Sequence, residues 1–256
     1  MPRISVVLPT YNQARYLPVS LEGIARQTCD DFELIVVDDG STDDTPQVLA
    51  DWRPRLPFLL IRQDNRGLPE ALNAGFARAT GEYLTWTSSD NIMLPTMLAR
   101  LAEELDRFPE VGMVYSDWCD VDDAGTVLRE VRTLEHDPVV LLRHNYVRAS
   151  FMYRRCCRDE IGDYDPQMKY KEDHDYWLRI AERWPMKRVP EPLYQYRIHR
   201  ASLSRAHGQA DLEREAANRS FHARHRAPRP LAWWYATQRW RWVKLLYMLR
   251  GREIPR

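Results

Sequence analysis

The sequence predicts an α/β fold with a mostly parallel central sheet and helices on both faces. Two observations carry this. The first hundred residues alternate strand-like apolar runs with segments of helical period, in the order βαβαβαβ. That order requires crossover connections, hence parallel strands covered on both sides. The second run, Phe32-Glu33-Leu34-Ile35-Val36-Val37-Asp38, is almost continuously apolar, as a strand buried on both faces must be.

Each element has its own reason. Ile4-Ser5-Val6-Val7-Leu8-Pro9 is short and rich in branched residues, a first strand. Leu17, Leu21, Ile24 and Ala25 recur near helical spacing and predict a helix over 15–27. Asp39-Gly40-Ser41-Thr42 is a turn with N-cap residues, so a helix follows to about Trp52. Residues 58–61 form a third strand, 67–79 a helix ended by Thr80-Gly81, and 83–87 a fourth strand. A helix over 94–108 would hold Pro95 in its first turn. Beyond it, 111–119 reads as a strand, Asp122-Asp123-Ala124-Gly125 as a turn, and 126–131 as its hairpin partner. Phe151-Met152-Tyr153 is a short strand. Residues 172–183 form a helix with Tyr176, Trp177, Ile180 and Ala181 on one side. Pro190 and Pro192 make 189–198 an edge strand or a loop. Helices over 209–224 and 231–249 are split by Pro228 and Pro230.

Of 256 residues, 44% are hydrophobic and 29% charged, which supports a sizeable core and excludes wholesale disorder. No segment approaches the roughly 18 apolar residues of a membrane-spanning helix. The opening Met1-Pro2-Arg3-Ile4 runs directly into a strand pattern and reads as no secretory signal. Cys29, Cys119, Cys156 and Cys157 match no zinc spacing and read as reduced thiols of a cytoplasmic protein. The zero net charge hides an asymmetry: residues 197–256 carry fourteen basic against four acidic groups, leaving 23 basic against 33 acidic in 1–196. An acidic body with a basic tail suggests that the tail meets something anionic.

In open parallel sheets, ligands bind beyond the carboxyl ends of the strands. The polar groups there are Pro9-Thr10-Tyr11-Asn12, Asp38-Asp39-Gly40-Ser41, Asn65-Arg66-Gly67 and Ser88-Ser89-Asp90-Asn91. No GxGxxG follows the first strand and no GxxxxGK[ST] occurs, which argues against a dinucleotide site and a P-loop phosphotransferase.

These residues carry a family resemblance. Ser5-Val6-Val7-Leu8-Pro9-Thr10-Tyr11-Asn12, followed by Val36-Val37-Asp38-Asp39-Gly40-Ser41-Thr42-Asp43, resembles the opening of family 2 glycosyltransferases of GT-A fold. Asn65-Arg66-Gly67 through Gly75 resembles the next family segment. Ser88-Ser89-Asp90 sits where the family carries its DxD metal motif, with one carboxylate remaining. Glu172-Asp173-His174-Asp175-Tyr176-Trp177 resembles the "ED" helix, and Tyr196-Arg197-Ile198-His199 the closing Y-R-x-H segment. Ser89-Asp90-Asn91-Ile92 is most similar to the spore-coat type. Five ordered motifs cover residues 4 to about 204.

The resemblance implies roles. Pro9, Thr10, Tyr11, Asn12, Asp39, Arg66, Ser89 and Asp90 would line the nucleotide-sugar site, with Tyr11 against the base and Asp39 accepting from a uracil-type N–H. Asp90 would ligate a divalent metal, Mn²⁺ or Mg²⁺, with His199 near the metal or diphosphate. Asp173 would be the general base, with Glu172 beside it. Plainer readings stand next to these. Asp38-Asp39 and Asp90 also fit helix caps, Asp173 a solvated helix face, and His199 a structural histidine.

The expected molecule is an inverting glycosyltransferase using a nucleotide-diphosphate sugar, a UDP-sugar by resemblance, on a saccharide or lipid-linked acceptor in surface glycan synthesis. Residues 1–100 would be the nucleotide half and 101–205 the acceptor half of one GT-A domain, with 206–256 a basic, tryptophan-rich helical extension. Trp233, Trp234, Trp240 and Trp242 beside Arg239, Arg241 and Lys244 suit either core packing or an anionic membrane surface, the latter placing a cytoplasmic protein peripherally on the inner face. Nothing resembles a nucleic-acid module, so nucleic acid is not an expected partner. The rivals are a non-catalytic nucleotide-binding scaffold on the same fold, and a nucleotidyltransferase.

Overall fold

A computed structural model describes residues 2–199 and Arg224. The predicted helices over 209–224 and 231–249, and with them the basic extension, lie outside the described residues apart from Arg224.

The first half follows the expected alternation: β1 (Ile4–Thr10), α1 (Leu17–Ala25), β2 (Phe32–Asp38), α2 (Thr45–Trp52), β3 (Leu59–Arg62), α3 (Leu68–Phe76) and β4 (Tyr83–Trp86). Each of the three helices has a proline in its first turn, where no N–H is needed. β1 pairs in parallel with β2 and β4, and β2 with β3, giving the order β3-β2-β1-β4.

The second half is mixed. It comprises β5 (Ile92–Met93), α4 (Met97–Arg107), β6 (Met113–Val121), β7 (Val127–Val131), α5 (Pro138–Leu141), β8 (Phe151–Arg154), α6 (Arg155–Ile161), a single 3₁₀ turn at Pro166–Met168, α7 (Glu172–Ala181) and β9 (Met186–Arg197). β8 lies antiparallel to both β4 and β6, while β9 runs parallel to β6 and antiparallel to β5. One nine-stranded sheet results, parallel through its first four strands and mixed beyond.

Two elements differ from the expectation. The helix predicted over 94–108 starts at Met97, because Ile92 and Met93 are drawn into the sheet opposite Gln195 and Tyr194. Pro95 therefore precedes the helix. The segment read as an edge strand or loop is the twelve-residue β9. Its register against β6 shifts between Ser116 and Asp117, which face Val189 and Pro192, so the prolines fall where the ladder is already broken.

Alternation along β1 divides the core. Ile4, Val6 and Leu8 face a cluster with Leu17, Leu21, Leu49, Leu98 and Leu101 from α1, α2 and α4. Val7 faces the other cluster, with Leu72 and Phe76 of α3 and Tyr176, Trp177 and Ile180 of α7. Gly75 lets α3 lie close to the sheet: a Cβ there would sit 2.4 Å from Val7 Cγ1.

Candidate active site

The carboxyl ends of β1, β2 and β4 carry most of the predicted site. Pro9 is buried within β1 opposite Val37, so it frames the site. Thr10 Oγ1 is buried with no hydrogen-bond partner among the described residues, and Tyr11 beyond it is 44% exposed. Asn12 takes a left-handed conformation, φ 52°. Its Oδ1 accepts from Thr42 N at 2.8 Å and its N–H donates to Ser41 Oγ at 3.0 Å, tying the β1 loop to the β2 loop.

Asp39 is buried and fully engaged. Its Oδ1 accepts from Gln63 Nε2 at 2.7 Å and Arg66 N at 3.0 Å, and Oδ2 from Gly67 N at 2.8 Å. Its carboxylate thus fixes the loop before α3. Arg66 joins through its backbone, with its side chain exposed. Gly67, at φ 89°, stands before α3, and a Cβ there would lie 3.6 Å from Lys169 Cε. The segment leading into α7 therefore lies against the loop that Asp39 holds.

Asp90 follows β4 after the buried Ser89. Its Oδ2 lies 3.0 Å from His199 Nε2, joining residues 109 positions apart. Its Oδ1 is buried and has no hydrogen-bond partner among the described residues. The turn is fixed by its own backbone: Asp90 O accepts from Arg197 Nε at 3.0 Å, and Asn91 Oδ1 from Arg197 N at 2.8 Å. The His199 ring packs on Tyr16, centroids 4.6 Å apart, and Tyr16 donates to Asp123. No cluster of three or more His, Cys, Asp or Glu able to hold a metal occurs among the described residues.

Glu172 and Asp173 open α7. Asp173 Oδ2 accepts from Asn145 Nδ2 at 2.7 Å and Oδ1 from His174 N at 2.6 Å. Glu172 is buried, and its Oε2 has no hydrogen-bond partner among the described residues. Burial, then the Asp173 charge, pushes its carboxyl up to about 8. α7 is anchored to β4 through Tyr164, which stacks on Tyr176 at 3.9 Å and receives a hydrogen bond from Trp86 Nε1 at 3.2 Å. Asn73 of α3 bonds both the N–H and the carbonyl of Tyr164. A hollow of about 670 Å³, lined by Arg3, Glu82, Arg154 and Arg155 among others, lies at the opposite ends of these strands.

The model of the family described as "Glycosyl transferase family 2" matches residues 5–170, well over half of the chain. The chain belongs to glycosyl transferase family 2. A PGL/p-HBAD biosynthesis glycosyltransferase of Mycobacterium tuberculosis is 34% identical to this glycosyltransferase over 181 residues, covering 70% of this chain and 69% of the relative. An uncharacterized glycosyltransferase of Nostoc sp. is 30% identical over 233 residues, covering 85% and 71%. Staphylococcus aureus TarS 1–349 in complex with UDP-GlcNAc superposes with TM-score 0.69 at 20% identity, over 84% of this chain and 64% of that one. The mannosyltransferase PcManGT of Pyrobaculum calidifontis, in complex with GDP-Man and Mn²⁺, gives TM-score 0.61 at 19% identity, over 96% and 81%. The chain spans about three fifths of the length of the TarS 1–349 chain. At these identities the solved structures speak for the fold, which is GT-A.

The candidate site also contains residues to which the sequence assigns no task. Arg197 clamps the Asp90 turn, and its Nη1 donates to the Asp122 and Asp123 carbonyls at 3.1 and 2.8 Å. The Y-R-x-H segment marked Arg197 without giving it a task. Asn145 holds Asp173 from a segment without helical or strand period, and nothing in the sequence pointed to it.

Proposed function

We propose that this glycosyltransferase moves a sugar from a nucleoside-diphosphate sugar, of the UDP class, to a saccharide or lipid-linked acceptor with inversion at the anomeric carbon. The observation that carries this is the orphaned, buried Asp90 Oδ1 at the carboxyl end of β4. A buried carboxylate oxygen without a donor is costly unless a cation faces it.

Asp90 fits a divalent metal, with His199 beside it. Two protein donors leave the remaining positions to phosphate oxygens and water, which suits Mg²⁺ or Mn²⁺ better than Ca²⁺. Such an ion, when bound, stabilises the negative charge of the departing diphosphate. Tyr11 offers an exposed ring to the base, and Thr10 Oγ1 an unsatisfied hydroxyl. The Asp39 carboxylate is occupied by the β3–α3 loop, so its part in uracil recognition is to position that loop unless a nucleobase displaces one donor.

Asp173 is the base in this reading. Asn145 orients one oxygen, and burial of Glu172, which raises its carboxyl's pKa and favours its neutral form, lessens the charge beside Asp173. The acceptor hydroxyl yields its proton to Asp173 while its oxygen bonds to the anomeric carbon. The anomeric C–O bond to the diphosphate breaks on the opposite face, and the nucleoside diphosphate leaves with the electron pair. A non-catalytic scaffold would have no use for the oriented Asp173. Residues 1–100 would serve the donor and 101–205 the acceptor, while the basic residues of 206–256 would dock on an anionic membrane. Proton NMR of the sugar transferred from a panel of UDP-sugars with Mn²⁺ should show inverted anomeric configuration; retained configuration would reject the single displacement.

A further inference from the structure

The loop between α5 and β8 contains an arginine that the reading above does not use. Arg148 adopts φ 54°, a left-handed conformation that long side chains rarely take. Its N–H donates to Asn145 Oδ1 at 3.2 Å, and Asn145 Nδ2 in turn holds Asp173. The other end of the loop enters the sheet beside β4, the strand that leads to Asp90. β8 is the antiparallel neighbour of β4, with Leu84 opposite Tyr153, and Thr85 Oγ1 donates to Phe151 O at 2.6 Å. The chain entering β8 therefore runs beside the chain leaving β4 toward Ser88–Asn91. Arg148 stands three residues before β8, on the loop whose Asn145 holds Asp173 and whose far end enters the sheet beside β4.

Its side chain is exposed, and its guanidinium lies 5.9 Å from the Trp118 ring centroid. Among the described residues it has no carboxylate partner. Other arginines among the described residues differ. Arg188 grips Asp117, Arg179 grips Asp175, and Arg197 is spent on backbone carbonyls. A solvated surface arginine needs no left-handed backbone, and a turn of that shape alone is better served by glycine or asparagine. Strain kept beside catalytic groups points to use.

We propose that Arg148 binds a phosphate-class oxyanion at the reaction centre, steadied on Trp118 with the donor fork of its guanidinium turned to the anion. This rests on the donor reading above. The oxyanion has two sources, the donor's diphosphate or a phosphate on the acceptor.

The test uses the full chain, its Arg148→Gly and Arg148→Lys variants, and two calorimetric titrations: UDP with Mn²⁺, then inorganic phosphate added to the UDP-saturated protein. Glycine relieves the left-handed strain, so Arg148→Gly should melt no lower than wild type. A tenfold or greater loss of UDP affinity in Arg148→Gly assigns the diphosphate. Unchanged UDP affinity with loss of phosphate binding to the UDP complex assigns the acceptor side. In either case Arg148→Lys should recover part of the binding, since it keeps the charge without the fork. Arg148→Gly binding both probes like wild type overturns the proposal, as does a melting point several degrees lower, which marks a structural residue. A wild-type chain that binds no nucleoside diphosphate instead refutes the donor reading, and this inference with it.

Discussion

Glu172 and Asp173 are adjacent carboxyls with different surroundings, and each difference is measurable. Asp173 accepts from Asn145 and is half-buried; Glu172 is buried, its carboxyl pushed up to about 8. Losing a general base typically costs about 10²–10⁴-fold in rate. Asp173→Asn should lower kcat by that order in a steady-state assay while UDP affinity holds. An equal fall in UDP affinity would make Asp173 a positioning residue. Glu172 bears on stability. The folded chain keeps this proton to about 8, whereas the ordinary carboxyl value is 4.5. Between those values the fold holds a proton that the unfolded chain has released, so stability falls as pH rises. Glu172→Gln removes that slope, and its melting point should gain on wild type steadily from pH 5 to pH 8. Parallel melting curves over that range would contradict it. The sequence made Asp90, Glu172, Asp173 and His199 visible because each lies in a compact motif. Asn145 and Arg148 were invisible, since their significance comes from contacts across the fold and a backbone angle.

At the scale of elements, β9 teaches most. Pro190 and Pro192 made 189–198 look like an edge or a loop, because proline cannot donate to a ladder. The structure absorbs them in a register shift, and the strand continues to Arg197, two residues before His199. A break at proline is legible in a sequence; compensation by the neighbouring strand is not. β9 is also held to β6 by Arg188 and Asp117, paired at 2.8 and 2.5 Å, with the Asp117 side chain 2% exposed. Removing one partner of a buried pair leaves the other charged and unsolvated. Arg188→Met should therefore cost about 3–5 kcal/mol in urea unfolding; a loss below about 1 kcal/mol, the range of exposed pairs, would mean that water reaches Asp117. The helix bearing Asp173 has a softer tie. Arg224 pairs with Asp165 and, at 3.1 Å, with Asp175, which keeps Arg179 at 2.9 Å. Arg224→Ala should cost about 1 kcal/mol or less.

Over the whole molecule, the parallel half was read almost strand for strand, because βαβ units bury continuous apolar runs and place turn residues at fixed points. The mixed half was read less well, because antiparallel pairing of β8 between β4 and β6 joins residues some seventy positions from β4 and forty from β6, beyond any local pattern. The basic residues of the tail pose a question of the same scale. Deleting residues 231–256 should release the chain from anionic vesicles in a sedimentation assay and leave transfer to a soluble acceptor intact; unfolding on deletion would assign the tryptophans to packing instead. No helix among the described residues is long and apolar enough to cross a membrane. The central claim is that Asp90 serves donor and metal while Asp173 serves the acceptor. One thermal-shift series tests it most directly: wild type, Asp90→Ala and Asp173→Asn, each with UDP, with Mn²⁺, and with both. The account predicts that UDP and Mn²⁺ together stabilise wild type and Asp173→Asn beyond either alone, and that Asp90→Ala loses this joint effect. An undiminished joint shift in Asp90→Ala, or none in wild type, would contradict it.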